Sequence, residues 1–149
     1  MWVLAVFVAT VFLAYANGAN DNFKGVATLF GSQTTSYKVA IWLATATTFA
    51  GSICSVILAN ALLKNFSGKG LVPEAIADTS SFHVAVALGA AITVILATVT
   101  GFPISTTHGI TGALSGAGLA AIGMQLNFAA LGKSFFTPLL LSPLIANVL

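Results

Sequence analysis

Two polar clusters stand inside otherwise apolar stretches of this sequence, where a membrane helix would ordinarily continue. The first is Asn-Gly-Ala-Asn-Asp at 17–21, which follows an apolar run at 2–16. The second, at 101–108, contains a proline, three hydroxyl residues and a histidine. In hydrocarbon, backbone that leaves helical hydrogen bonding survives only where protein or a wet cavity surrounds it. Two such interruptions therefore predict the midplane binding site of a secondary transporter.

The first cluster has the side chains that a site for both a cation and an anion requires. Asn17, Asn20 and Asp21 offer oxygens for a coupling ion, and Asn20 with Asp21 could hold a hard cation such as Na⁺. A helix that resumed after Asp21 would present free N–H groups and a positive dipole end to an anion. An intramembrane carboxylate is costly and is functional by default, although Asp21 could instead form only a structural pair with Lys24. We therefore predict that Asp21 and Lys24 contribute to the substrate site.

The second cluster could hold an oxyanion. Ser105, Thr106 and Thr107 supply hydroxyl groups and backbone N–H groups, as in a phosphate-cradling nest. His108 could donate to the anion or respond to pH. The alternative is an N-cap followed by hydroxyls that bond back within a kinked helix. Because Pro103 precedes these residues, a break that lines a cavity is the favoured prediction.

Composition places the chain in the membrane. It is 58% hydrophobic and 5% charged, with a mean hydropathy of +1.02, whereas a soluble domain has about 25% charged residues. The net charge of +2 comes from five lysines, too few to predict a nucleic-acid partner. Cys54 is the only cysteine, so no disulfide framework is predicted. The sequence also lacks a Ser-His-Asp order, a metal-ligand helix and a nucleotide loop, so we predict no enzyme and no cofactor beyond a coupling ion.

The apolar segments predict an all-α polytopic membrane protein with broken or re-entrant helices. About 20 apolar residues are needed for each crossing, which leaves room for about four to six crossings or half-crossings. The predicted segments are a half-span at 1–16 that 22–32 could complete, spans at 39–63 and 81–100, a half-span at 109–122, and an apolar segment at 135–149. The hydrophilic stretch 64–80 is predicted to lie outside the bilayer. We expect residues 1–149 to form one transmembrane domain whose last helix, from about 135, is cut short.

The two clusters together resemble the signature segments of the inorganic phosphate transporter (PiT) family. The resemblance is carried by Gly-Ala-Asn-Asp at 18–21, Gly-Ser at 31–32 and Pro-Ile-Ser-Thr-Thr-His at 103–108, and it extends over about 14–118. It implies a symporter of inorganic phosphate in the cell membrane, coupled to Na⁺ or H⁺, with some relatives carrying sulfate. Family members contain each motif twice, in two inverted halves that enclose one pathway. The resemblance therefore implies an N-terminal half that pairs with a second inverted half or with another copy of the chain.

One departure from the family pattern affects the expected coupling ion. After the aspartate the family usually has two small residues and an asparagine, whereas this chain has Asn22, Phe23 and Lys24. The lysine could permanently supply the positive charge that a bound cation would otherwise bring. Alternatively, its ammonium could extend to the membrane interface and never meet the substrate. A sulfate or other oxyanion permease, an anion channel and a noncatalytic membrane scaffold remain alternative functions.

Overall fold

The chain folds into helices that are joined by short turns. The computed structural model describes residues 1–58 and 66–148. The α-helices of these two ranges, numbered α1 to α8, are Trp2–Asp21, Ala27–Gly31, Tyr37–Leu58, Glu74–Ala77, Ser80–Thr100, Thr106–Ile122, Phe128–Leu131 and Thr137–Val148. Tighter 3-10 turns occupy Lys24–Val26 and Gly123–Gln125, and a π-helical turn occupies Gly132–Phe136. Since the described residues otherwise show only one isolated β-bridge, the predicted all-α fold is confirmed.

Four helical stretches of the described residues are long and apolar enough to cross a membrane. They are Trp2–Gly31, Tyr37–Leu58, Ser80–Thr100 and Phe128–Val148. The chain is therefore a multi-pass integral membrane protein, as its composition predicts. The span predicted at 39–63 corresponds to α3 as far as Leu58, and its remaining positions, with Lys64 and Leu149, lie outside the described residues.

The first polar cluster lies inside α1 rather than in a break. The helix continues to Asp21, and the Asn22 N–H still donates to the Gly18 carbonyl at 3.0 Å. The predicted interruption over 17–21 is therefore wrong. A single glycine in a helix costs only about 1 kcal/mol relative to alanine, and polar side chains can project from a helix whose backbone remains paired. The chain tightens only afterwards, in the 3-10 turn Lys24–Val26 that leads into α2 and completes a 30-residue crossing.

The second polar cluster contains a true break between α5 and α6, as predicted. Gly101 ends α5 at φ 75°, a conformation that glycine adopts without steric cost. The Phe102 N–H then donates back into the last turn of α5, as in a Schellman motif. Ser105 caps α6, and Thr106 already belongs to its first turn. The non-helical part is therefore shorter than the predicted 101–108.

Small residues allow α1, α5 and α6 to pack side by side, and these contacts position the polar clusters. On the α1–α5 face, Ala16 is buried with Ala91 and Val94. Between α5 and α6, a Cβ built on Gly89 would lie 3.4 Å from the Ala113 Cβ, which shows how closely the backbones approach. Small residues at such contacts are typical of membrane helix packing. The result is that the end of α1 lies beside the start of α6.

A polar contact joins α3 to the end of α1. The Asn22 Nδ2 donates to the Thr45 hydroxyl oxygen at 3.2 Å, and the Thr48 hydroxyl donates to Asn22 Oδ1 at 2.8 Å. Beside it, the rings of Phe23, Phe30 and Tyr37 lie 5.4–5.9 Å apart by centroid distance. The turn that follows α1 is therefore held by hydrogen bonds on one side and by aromatic packing on the other.

The described part of the hydrophilic stretch, 66–79, is folded onto the end of the helical bundle. Its charges include an ion pair between Lys69 and Asp78 at 3.2 Å, both partly exposed. Its apolar residues Leu71 and Val72 are buried in a core shared with α5, α6 and α7. The stretch is thus a packed cap rather than only a solvated loop.

The last crossing starts earlier than the sequence indicates. The last apolar segment is predicted to begin at about 135, but the helical run that leads into α8 begins at Phe128. Asn127 explains this start, because its side chain accepts a hydrogen bond from the Ala130 N–H as an N-cap. Lys133 lies in the π-helical turn Gly132–Phe136, and the helical run continues through this turn.

Candidate functional site

The two polar clusters meet at one carboxylate. The Thr106 hydroxyl, in the first turn of α6, donates to Asp21 Oδ2 at 2.7 Å. These residues are 85 positions apart in the chain, so the contact depends on α1 and α6 both packing against α5. The prediction that two separate motifs form one site thus has a direct counterpart in the fold.

Lys24 reaches the same carboxylate from the turn after α1. Its Nζ donates to Asp21 Oδ1 at 2.7 Å and to the backbone carbonyl of Ile104 at 3.0 Å. In the structure the ammonium is bound to Asp21 and Ile104, although the lysine side chain is still 49% exposed. The predicted structural pair of Asp21 and Lys24 therefore exists, and it includes a carbonyl of the second break.

A cavity of about 490 Å³ opens beside this carboxylate. Four of the predicted site residues line it, and its other walls are mostly apolar. The polar lining consists of Asn17, Asp21, Thr106 and Thr107, and the remaining lining of Thr10, Leu13, Ala14, Phe66 and Ile110. A mainly apolar wall with a few converging polar groups is the usual composition of a small-ligand site.

The three hydroxyls of the second cluster differ in how they are used. The Ser105 side chain accepts from the His108 N–H at 3.4 Å, which makes it the N-cap of α6. The Thr106 hydroxyl is bound to Asp21. The Thr107 side chain has no hydrogen-bond partner among the described residues, and it faces the cavity. Thr107 is therefore the hydroxyl that is available to a ligand.

The start of α6 also gives the cavity a positive electrostatic end. The N–H groups of Thr106 and Thr107 have no acceptor within the helix, because a helix leaves its first N–H groups unpaired. The aligned peptide dipoles add the equivalent of roughly half a positive charge at this end. Since α6 has 17 residues, the dipole is fully developed. Backbone, hydroxyl and dipole together favour an anion at this point.

Four of the predicted site residues do not line this cavity: Asn20, Lys24, Ser105 and His108. His108 lines a different cavity of about 460 Å³, together with Thr111 and Ser115. Two residues along a helix correspond to a rotation of about 200°, so His108 and Thr106 cannot face the same side. Asn20 is not among the residues that line the first cavity, and its Nδ2 is buried without an acceptor in the described part of the chain.

Sequence reasoning missed two contributors to the site. The Ile104 carbonyl binds Lys24, but a backbone oxygen leaves no signature in a residue pattern. Phe66 lines the cavity from the hydrophilic stretch and packs against Phe135 at a ring centroid distance of 5.7 Å. An isolated aromatic residue beside charged neighbours was the available signal for Phe66.

Comparisons with known proteins identify similar chains. The family model described as the phosphate transporter family matches residues 17–149. A protein of Helicobacter pylori named as a phosphate permease is 33% identical over 128 residues, which cover 83% of this chain and 24% of that protein. A sodium-dependent phosphate transporter of Plasmodium falciparum is 32% identical over 130 residues, covering 84% of this chain and 19% of that protein. The chain thus spans about a quarter or less of the length of these two relatives, and no solved structure matches it.

Proposed function

The chain belongs to the phosphate transporter family, and we propose that it supplies one half of a pathway that carries inorganic phosphate across a cell membrane together with a cation. The observation that supports this most directly is the hydrogen bond between Thr106 and Asp21, which joins the two motifs at one cavity. The names of the relatives agree with such a substrate, since they describe phosphate permeases and transporters.

In this proposal the anion binds at the start of α6. The N–H groups of Thr106 and Thr107 and the Thr107 hydroxyl donate to its oxygens, and the Asn17 side chain also lines the cavity. Hydrogen bonds to a charged group contribute about 1.5–3 kcal/mol each, so two or three of them give useful affinity without holding the ion too tightly to leave.

The coupling cation, Na⁺ or H⁺, is proposed to act through the oxygens at the end of α1. Asp21 is the acidic residue of this segment, Asn20 directly precedes it, and Asn17 lies about one turn before it. The side-chain N–H of Asn20 is buried without an acceptor among the described residues, and a buried unpaired donor costs about 1–3 kcal/mol. This cost supports the presence of a partner that the described residues do not supply. That partner is a hydrogen-bond acceptor, such as a backbone carbonyl oxygen of another segment, and its bond to the Asn20 Nδ2 would leave the Asn20 Oδ1 free for the cation.

A second set of helices is proposed to close the pathway. The side chains of Asp21 and Lys24 are 38% and 49% exposed, and groups of this charge are not stable against hydrocarbon. Apolar side chains on the outside of the helices, such as Phe7, Trp42 and Leu140, are also widely exposed and fit lipid or further helices. An inverted second half or a second copy of the chain would cover the site.

The proposal is tested by uptake of labelled phosphate into proteoliposomes that contain the full-length protein, with sulfate as a competitor. Asp21→Asn should keep membrane insertion, since it removes a charge from the bilayer, but should strongly reduce uptake. Asp78→Asn is the matched control, because it removes an exposed carboxylate that does not line the cavity. Wild-type uptake by Asp21→Asn, or preferential uptake of sulfate, would contradict the proposal.

A further inference from the structure

The ammonium of Lys24 has the surroundings of a bound cation. Its two acceptors are a carboxylate oxygen of Asp21 and the backbone carbonyl oxygen of Ile104. Carboxylate and backbone carbonyl oxygens are the ligands that hard metal cations take from proteins. The cation that these two oxygens bind is therefore a side chain of the protein itself.

The ammonium also connects the turn after α1 to the break before α6. Lys24 lies in the 3-10 turn after α1, and Ile104 lies in the break before α6, 80 positions away. A lysine that only extended toward an interface would have no reason to bind a carbonyl of the other break. The same Asp21 carboxylate uses its second oxygen for the Thr106 hydroxyl. Carboxylate, ammonium, carbonyl and hydroxyl thus form one continuous network, and Asp21 and Thr106 are its members that line the cavity.

The charges of this network affect how an anion can bind in the cavity. Asp21 lines the cavity, and its negative charge would repel a phosphate bound at the start of α6. The repulsion is large where water is scarce, because the Coulomb energy scales inversely with the dielectric constant. A cation beside Asp21 cancels it. When that cation is mobile, anion binding requires the cation; when it is Lys24, the cancellation is permanent.

We propose that Lys24 acts as a tethered cation, which takes the place of one mobile coupling ion between Asp21 and Ile104. This inference rests on the proposed function of phosphate transport and assigns the coupling at its site. Lys24 is a positioning and charge-compensating residue that acts through Asp21. Phosphate uptake by this protein therefore requires one Na⁺ fewer than uptake by a protein with an amide at position 24.

The test measures how steeply phosphate uptake depends on Na⁺ concentration in proteoliposomes of the full-length protein, with choline replacing Na⁺ at constant ionic strength. In Lys24→Asn the exponent of this dependence should rise by about one, since one more cation must bind for each phosphate. Lys24→Arg keeps the charge and should keep the wild-type exponent. Lys38→Asn is the matched control, because it removes an exposed lysine from the start of α3.

Lys24→Met is a second neutral variant, of similar length, in case Lys24→Asn fails to insert. A Na⁺-dependent rise in the thermal stability of either neutral variant, absent from the wild type, is a further readout that does not depend on transport. If the Na⁺ dependences of the wild type and the neutral variants superimpose while phosphate uptake is intact, the tethered cation is refuted. The proposed function is then unaffected. No phosphate uptake by the wild type at any Na⁺ concentration would overturn the proposed function and this inference with it.

Discussion

The replacement of Thr107 by valine tests the anion site most sharply. Thr107 lines the cavity at the start of α6, and its hydroxyl has no partner among the described residues. Valine preserves the shape of the side chain and removes only the hydroxyl. If that hydroxyl donates to a charged phosphate, its loss costs about 1.5–3 kcal/mol, which corresponds to a roughly 10- to 150-fold weaker half-saturation.

The same substitution should leave the fold unchanged, because it breaks no hydrogen bond between described residues. Ser105→Ala is the matched comparison. Ser105 is the N-cap of α6, so its loss should lower the unfolding free energy by about 1 kcal/mol and should change the phosphate affinity less. Comparing the two variants thus separates an effect on phosphate binding from an effect on stability.

The measurements are the phosphate concentration that gives half-maximal uptake in proteoliposomes and the thermal unfolding temperature in detergent. We expect Thr107→Val to shift the first and Ser105→Ala to shift mainly the second. Unchanged half-saturation in a correctly inserted Thr107→Val variant would refute the assignment of this hydroxyl to the anion.

Two further predictions concern the helices that position the site. Gly68→Ala should lower the thermal stability more than Gly70→Ala: both glycines have positive φ, but only at Gly68 would a Cβ meet a ring carbon of Phe82, at 2.9 Å. Equal unfolding temperatures of the two variants in detergent would contradict this packing. Asn22→Ala removes both side-chain hydrogen bonds to α3 and should cost about 1–2 kcal/mol of stability by the same measurement, whereas an unchanged unfolding temperature would mean that the α1–α3 contact is held by apolar packing alone.

The sequence predicted the class of fold and the meeting of the two motifs, because both depend on strong signals. Apolar length determines which segments can cross a membrane, and Gly101 with Pro103 determines where a helix must stop. The intramembrane carboxylate of Asp21 has no inexpensive structural role, so polar partners for it in the fold could be expected. These signals are local, and they hold whatever the surrounding packing.

The positions of the helix ends could not be predicted as well, because they depend on packing. The cluster at 17–21 has the composition of a break. However, keeping the helix through this cluster costs less free energy than losing its backbone hydrogen bonds would. The early start at Phe128 depends on a side-chain cap by Asn127, one of several polar residues in that connection. The separation of His108 from Thr106 followed from helical rotation once Ser105 became the N-cap, and composition alone cannot fix that register.

The continuous α1 changes how the site is built. Thr10, Asn17 and Asp21 all line the cavity, together with Ala14, and the spacing of these four residues by three or four positions is that of one helix face. The polar groups of α1 are therefore presented by helical register on a paired backbone, whereas the groups of α6 that are proposed to bind the anion come from a true helix end. The hydrogen bond from Thr106 to Asp21 joins this fixed face to the break. Since that bond and the Lys24 ion pair share one carboxylate, loss of the carboxylate should remove both, which is why Asp21 is the residue on which the proposed coupling depends.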